Sequence, residues 1–426
     1  MTNTNQHIRT GYKPSPLGPI PEDWEVKRLG ECTNLLTNGF VGVATPHYTE
    51  DSDGITYIQG YNVTEGGFNL RGIKKVTKEF HKKNSKSSLL EGDLLTIQTG
   101  DIGLTTIVPK DLEGSNCHAL IISRFNNSII PRFMLYYYNS SIGRERFRKI
   151  ETGTTMKHIN TGDLINFLVP VPSIEEQKAI VDLLKLWDTA ISKQTALIEK
   201  LTQRKHGLMQ QLLTGKKRLK GFEGEWKDVR LGDTGSAYGG LINKNKEDFE
   251  NGNALFITYM NVFSNGKIDI DDLGQVRILP SEKQEQVQYG DIFFTVSSET
   301  PDEVGMASVL LNEVQNTYLN SFCFGYRLND FKTIVPLYAS YLFRGDDFRK
   351  EMYKIAQGST RFNISKTEVL NMRIIIPSIE EQNAIASVLI NADKEIEIAK
   401  GKLLHLQEEK RGLMQVLLTG KKRIKE

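Results

Sequence analysis

The hexapeptide PSIEEQ occupies Pro172–Gln177 and recurs unchanged at Pro377–Gln382, 205 positions later. The run GLMQQLLTGKKR at Gly207–Arg218 returns at the same offset as GLMQVLLTGKKR at Gly412–Arg423. Pro131 maps onto Pro336, and the GTT at Gly153 onto the GST at Gly358, so the register holds without a gap from Pro131 to Arg218. Upstream the match is looser: WEVKRLGE from Trp24 resembles WKDVRLGD from Trp226, and ITYIQGYNV from Ile55 resembles LFITYMNV from Leu255. This repeat is far longer than a solenoid unit, so the chain reads as two copies of a whole module. A chain of 426 residues has room for two such modules, each with its own core.

The copies are unevenly alike, so they share one task and differ in another. The near-identical part of each predicts a long helix. Ser173 with Glu176, and Ser378 with Glu381, fit the S-x-x-E capping box. Proline-free runs follow and end at Gly215 and Gly420, which are placed as C-terminal caps. Steps of four and three place Ile180, Leu184, Trp187, Ile191, Ile198, Leu201, Leu208 and Leu212 on one seam. The second seam is Ile385, Leu389, Ile396, Leu403, Leu406, Leu413 and Leu417. Such heptad spacing favours a coiled coil over a helix that packs on one domain alone. Each helix would be about 60 Å long at ~1.5 Å per residue. An antiparallel pair is the simplest arrangement, giving a dumbbell with a pseudo-two-fold axis.

The diverged part of each copy reads as α+β. Strand-like runs stand at Leu94, Ala119 and Asn166 in the first copy and at Asp291, Ser321 and Met372 in the second. Gly92-Asp93 and Gly290-Asp291 mark turns, and Pro131 and Pro336 are placed to begin helices. The fold expected is two similar α/β domains joined by two long helices.

Motifs for chemistry are missing from the sequence: it has no phosphate-binding glycine loop, no dinucleotide fingerprint, no nucleophile elbow and no zinc spacing. No catalytic residue and no metal site is therefore assigned. Binding remains. Arg144 and Arg148, or Arg349 in the second copy, put cations on a helix. A small polar loop follows it, with Thr155, Lys157 and His158, or Thr360, Arg361 and Asn363. Cations and hydroxyls suit phosphates, while arginine and asparagine suit base edges. Gln59, Tyr61 and Asn62, with Asn261 at the matching place, form polar–aromatic segments that are further candidates for DNA contact. The net charge of only +2 means that nucleic-acid binding would rest on local patches. Three distant cysteines (Cys32, Cys117 and Cys323), a polar N-terminus and the lack of a long apolar run point to a cytoplasmic protein with no membrane partner.

Two diverged domains alternating with two helices that begin PSIEEQ and end LLTGKKR resemble the specificity subunit of a type I restriction-modification enzyme. The resemblance covers essentially the whole chain, and W-x-x-x-R-L-G and GTT/GST fit it. It implies the following layout: an N-terminal extension at 1–19, target-recognition domains at 20–171 and 216–376, spacer helices at 172–215 and 377–420, and a basic tail at 421–426. It further implies that each domain reads half of a bipartite site on double-stranded DNA. The helices would set the gap and dock two methylation subunits, and motor/restriction subunits would join the full complex. S-adenosylmethionine, ATP and magnesium would belong to those partners, with no cofactor in this chain. A coiled-coil protein-binding scaffold and a fused methyltransferase or nuclease are the rival readings.

Overall fold

Two stretches of 39 residues are helical without a break, Ile174–Leu212 and Ile379–Leu417, in a computed structural model that describes residues 9–154 and 157–424. Ser173 and Ser378 cap them as the sequence predicts, accepting from the N–H of Glu176 (3.2 Å) and Glu381 (3.4 Å). Gly215 and Gly420 adopt φ of 71° and 69°, the left-handed conformation that glycine enters without Cβ strain. The chain divides into two compact units: residues up to Thr195 together with those from Gly401 onward, and Ala196–Lys400. Each unit therefore contains the start of one long helix and the end of the other.

In the first unit a four-stranded antiparallel sheet has the order Thr105–Ile107, Leu94–Ile97, Leu120–Phe125, Thr33–Asn38. A second, three-stranded sheet has the order Asn116–Cys117, Ile55–Ile58, Lys74–Val76. Glu25–Arg28 pairs with Leu168–Val171 at the point where the chain enters its helix. The second unit repeats this plan. Its four-stranded order is Ala307–Val309, Ile292–Thr295, Cys323–Leu328, Gly235–Gly239, and Lys227–Arg230 pairs with Arg373–Ile376. Helices Pro131–Asn139 and Pro336–Leu342 start at the prolines that the sequence marks.

Heptad positions near the helix ends do more than face another helix. Ile180, Leu184 and Leu417 join one core with Trp24, Phe133 and Tyr137. Leu212, Ile385 and Leu389 join another with Leu231, Tyr338 and Phe343. Leu413 and Leu208 pack at the edges of these two cores. The remaining seam positions, Trp187, Ile191, Ile198, Leu201, Ile396, Leu403 and Leu406, are half-buried. Residues of the expected N-terminal extension also belong to the first unit: Tyr12–Lys13 pairs with Ile20–Pro21, and the Tyr12 hydroxyl donates to the Gly420 carbonyl at 2.7 Å.

Within each unit the duplicated motifs grip each other. Glu176 accepts from Arg423 and from the Trp24 indole N–H, at 2.5 and 2.8 Å. In the second unit Glu381, 1% exposed, takes two hydrogen bonds of 2.6 Å from Arg218. These carboxylates therefore serve the arginine at the end of the other helix, where the capping-box pattern expects them to turn back on their own Ser. A two-point charged partner outcompetes a local N–H. Gln177 accepts from the Ile130 N–H and donates to the Ser128 and Pro172 carbonyls. Gln382 does the same with Val335, Thr333 and Pro377. Further along, Asp188 receives the Tyr136 hydroxyl (2.5 Å) and Lys410 (2.6 Å). Asp393 receives Tyr341 (2.6 Å) and Lys205 (2.5 Å). Contacts 176–423 with 188–410, and 205–393 with 218–381, fall in one index as they rise in the other, so the two helices are antiparallel inside each unit.

Candidate nucleic-acid interface

At one end of the first unit's main sheet, Ile97 pairs with Leu120 and Asn38 with Ile121, and the loops that leave these strand ends converge. Gly39 and Phe40 donate to the Leu120 and Cys117 carbonyls, and His118 donates to that of Ile58. A Cβ on Gly39 would lie 2.6 Å from the Cys117 carbonyl oxygen, so only glycine permits this approach. Ile159 donates to the Gln98 carbonyl, which brings in the loop after helix Ser141–Lys149. The second unit builds the same end. Leu241 donates to Leu319, Asn320 to Ile257, and Ile364 to Val296, while the Tyr259 hydroxyl donates to Ser297 at 2.9 Å.

The GTT and GST loops are held alike. Thr152 and His158 exchange both main-chain hydrogen bonds, as do Gln357 and Asn363. Each ladder closes a tip, and Lys157, Thr360, Arg361 and Asn363 are exposed there, with His158 half-buried. Lys157 lies 3.3 Å from Glu151. Thr155 is outside the described residues. Arg148 is exposed, Tyr61 is 55% exposed, and Gln59 donates to the Tyr48 hydroxyl at 3.1 Å.

Four other candidates are occupied by the scaffold. Asn62 is fully buried; it accepts from the Gln59 N–H and donates to the Asn69 carbonyl, both at 2.9 Å. Asn261 is fully buried and donates to the Asp269 and Asp272 carbonyls at 2.7 Å. Both asparagines shape their own loops and present no amide to DNA. Arg349 donates to the carbonyls of Asp302, Val304 and Gly305 at 2.6–2.7 Å, and burial lowers its pKa. Arg144, its counterpart in the repeat, is paired with Asp101. Each arginine thus fastens the hairpin loop at the sheet end, a positioning role in place of the direct contact that the sequence suggests.

Sequence reasoning overlooks Arg344, which donates to the carbonyls of Val262, Phe263, Asn265 and Ala307 and whose pKa burial pulls down to about 10. It also overlooks exposed apolar side chains at both ends: Val41 and Val43, and Ile242, Met260 and Phe322. For Val41, Val43, Ile242 and Met260 the one signal is a neighbouring Gly or Asn, and Phe322 has not even that. The second end also carries Glu299, Asp302 and Glu303 beside Arg361 and Lys366, so its charge is mixed. An end of this composition presents no uniform positive field.

A family model described as the type I restriction modification DNA specificity domain matches residues 21–203 and again 223–408. The MjaVIII type I restriction enzyme specificity subunit of Methanocaldococcus jannaschii is 26% identical over 429 residues, 95% of this chain and 94% of that protein. The EcoBI specificity subunit of Escherichia coli is 30% identical over 210 residues, 48% of this chain and 42% of its own length. A chain solved in work on complex assembly and conformational transition of the type I R-M system aligns with a TM-score of 0.63 at 19% identity, covering 94% of this chain and 99% of that one. The HsdS subunit from Thermoanaerobacter tengcongensis aligns with a TM-score of 0.52 at 20% identity, covering 94% and 98%. At these identities the two structures establish a shared fold.

Proposed function

This chain belongs to the type I restriction-modification DNA specificity family, and from that premise we propose that each unit reads one half of a split, asymmetric site on double-stranded DNA. In this reading the chain selects sequence and performs no chemistry itself. Two methylation subunits dock on it, motor/restriction subunits complete the assembly, and S-adenosylmethionine, ATP and magnesium are held by those partners. The cytoplasm is where such a complex meets its DNA. Among the described residues no helix is long and apolar enough to cross a membrane.

One observation carries the reading. The same scaffold, residue for residue, supports two different sets of loops. Gln177 and Gln382, Glu176 and Glu381, and Asp188 and Asp393 make matching contacts. The loop ends they support differ in charge and in apolar side chains. A bipartite site asks for that combination: one device to place a reader at each half, and two readers of different sequence. The long helices suit the unread gap, and the exposed Leu186, Leu404, Leu197 and Ile398 on them are apolar positions a docked subunit would cover.

The test is a genome-wide map of methylated adenines in cells that carry the chain with its methylation subunits. The expected motif has two short specific halves separated by unspecified bases. Replacing 20–171 by the matching region of a related subunit should change one half and leave the other intact. A motif without a gap, or a change in both halves, would refute it. Methyl transfer by the purified chain alone would favour an enzyme instead.

A further inference from the structure

The two reading ends differ at one connection. In the first unit two residues, His118 and Ala119, separate strand Asn116–Cys117 from Leu120–Phe125. In the second, Asn320, Ser321 and Phe322 separate Thr317–Leu319 from Cys323–Leu328. The longer connection ends in Phe322, whose side chain is 60% exposed. Its main chain is nonetheless fixed. The Phe322 N–H donates to Asn320 Oδ1 at 2.8 Å, and its carbonyl accepts from Val296 at 3.0 Å. The Val296 carbonyl in turn accepts from Ile364 at 3.0 Å, so Phe322 stands two segments away from the tip that carries Arg361. Arg361 is also near Tyr259, whose phenol is pushed up by burial while the Arg361 charge pulls it down. Exposed Met260 follows Tyr259 directly.

The ring is thus exposed on a main chain that is held in place, a placement that suits contact with a partner. Phenylalanine has neither donor nor acceptor, so it reads neither phosphates nor hydrogen-bonding base edges. Its neighbours argue against phosphate as well. Glu303 accepts from Ser298 and Thr300, and Glu299 and Asp302 are exposed in the same loop beside Arg361, so the local charge is mixed and offers no uniformly positive seat for a phosphate. The apolar group that duplex DNA offers to a side chain entering the major groove is the thymine methyl. We propose that Phe322 is a specificity-determining residue of the second unit, packing against the methyl group of a thymine in its half-site. The proposal rests on the DNA-reading role proposed above.

The test uses the complex with the methylation subunits and duplexes that carry the mapped site. Each thymine of the second half-site is replaced in turn by deoxyuridine, which removes the methyl and keeps the pairing. One position should weaken binding by the native complex about fourfold, the equivalent of one buried methylene. Phe322→Ala should bind more weakly and lose its sensitivity at that position, while Phe322→Leu should keep part of it. Unaltered reading of the other positions of the second half-site verifies that the second unit is folded in the variants. No methyl-sensitive thymine, or a sensitivity that persists in Phe322→Ala, would overturn the proposal. So would an affinity loss in Phe322→Ala equal for thymine and deoxyuridine, which would mark a wedge between base pairs. A native complex with no sequence preference at all would instead sink the DNA-reading role, and this proposal with it.

Discussion

Gln382→Glu alters the duplicated motif without changing its volume. The native amide is fully buried. Its Oε1 accepts from the Val335 N–H at 2.9 Å, and its Nε2 donates to the Thr333 and Pro377 carbonyls at 2.8 and 3.0 Å. A carboxyl group keeps the first bond but sets an oxygen against two carbonyl oxygens. When protonated it donates to one of them, so the loss is a single hydrogen bond and an unpaired acceptor, about 1–3 kcal/mol. When ionised it is an uncompensated buried charge, and the loss rises to about 3–5 kcal/mol. Burial and facing carbonyls both favour the neutral acid, so the folded pKa of the introduced carboxyl lies above its unfolded value of about 4.3. A raised carboxyl pKa means that the folded state holds its proton longer. The variant is therefore closest to native below about pH 4.3 and loses stability as the pH rises through the folded pKa. Because the chain has two units, a local probe serves better than a global melt. Exchange of the Val335 amide and of helix Pro336–Leu342 should accelerate strongly at about pH 8 and much less at about pH 5, after correction for intrinsic rates. Gln382→Leu should accelerate it equally at both. A Gln382→Glu protein with native protection, or with a pH-independent deficit, would refute this account of the motif.

Asp393 supplies a second pH effect, of opposite sign. Burial raises its pKa, but hydrogen bonds from Lys205 and Tyr341 outweigh burial and hold it below the usual carboxylate value. Its stabilisation is present above the unfolded pKa of about 3.9 and is lost as the pH falls through the lower folded value. Asp393→Asn should cost about 1–3 kcal/mol at neutral pH. It should also flatten the acid limb of the second unit's unfolding curve, read by denaturant titration from about pH 7 to about pH 3. An unchanged acid limb would remove Asp393 from the explanation. Arg349→Ala strips three carbonyls of their donor. It should speed exchange of the Gly305 amide, which donates to Thr295, while leaving exchange in the first unit untouched. Native exchange at Gly305 would show that the loop holds itself.

Repetition and periodicity make the long helices, the antiparallel pairing and the α+β character of each unit readable from sequence. Pro131, Pro336, Ser173 and Ser378 act where they stand because their effects are local. Glu176 and Glu381 are misread from sequence because their partners, Arg423 and Arg218, lie 247 and 163 residues away. Asn62 and Asn261 look like ligands in sequence, since a polar residue beside an aromatic one has no mark of burial. Arg144 and Arg349 stand out as cations, but their partners are in loops of unlike sequence, Asp101 in one and bare carbonyls in the other. Phe322 is missed because a phenylalanine before a strand reads as core.

The cross-gripping of the motifs explains why they are spelled alike in both copies. The PSIEEQ that opens one helix meets the GKKR that follows the other, so neither copy's motif is complete on its own. A change in Glu176 is felt by Arg423, and a change in Glu381 by Arg218, which ties the two spellings together chemically. The loops at the sheet ends carry no such tie and are free to differ. The two grips are still unequal. Arg423 holds Asp23 as well as Glu176, and Trp24 adds its indole N–H to the same carboxylate. Among the described residues Arg218 holds Glu381 alone, and Trp226 beneath it has a buried indole N–H with no partner. A buried donor left unpaired is a cost, so the Arg218–Glu381 grip has less holding it closed, and the second unit's helix ends are the ones to part first under strain.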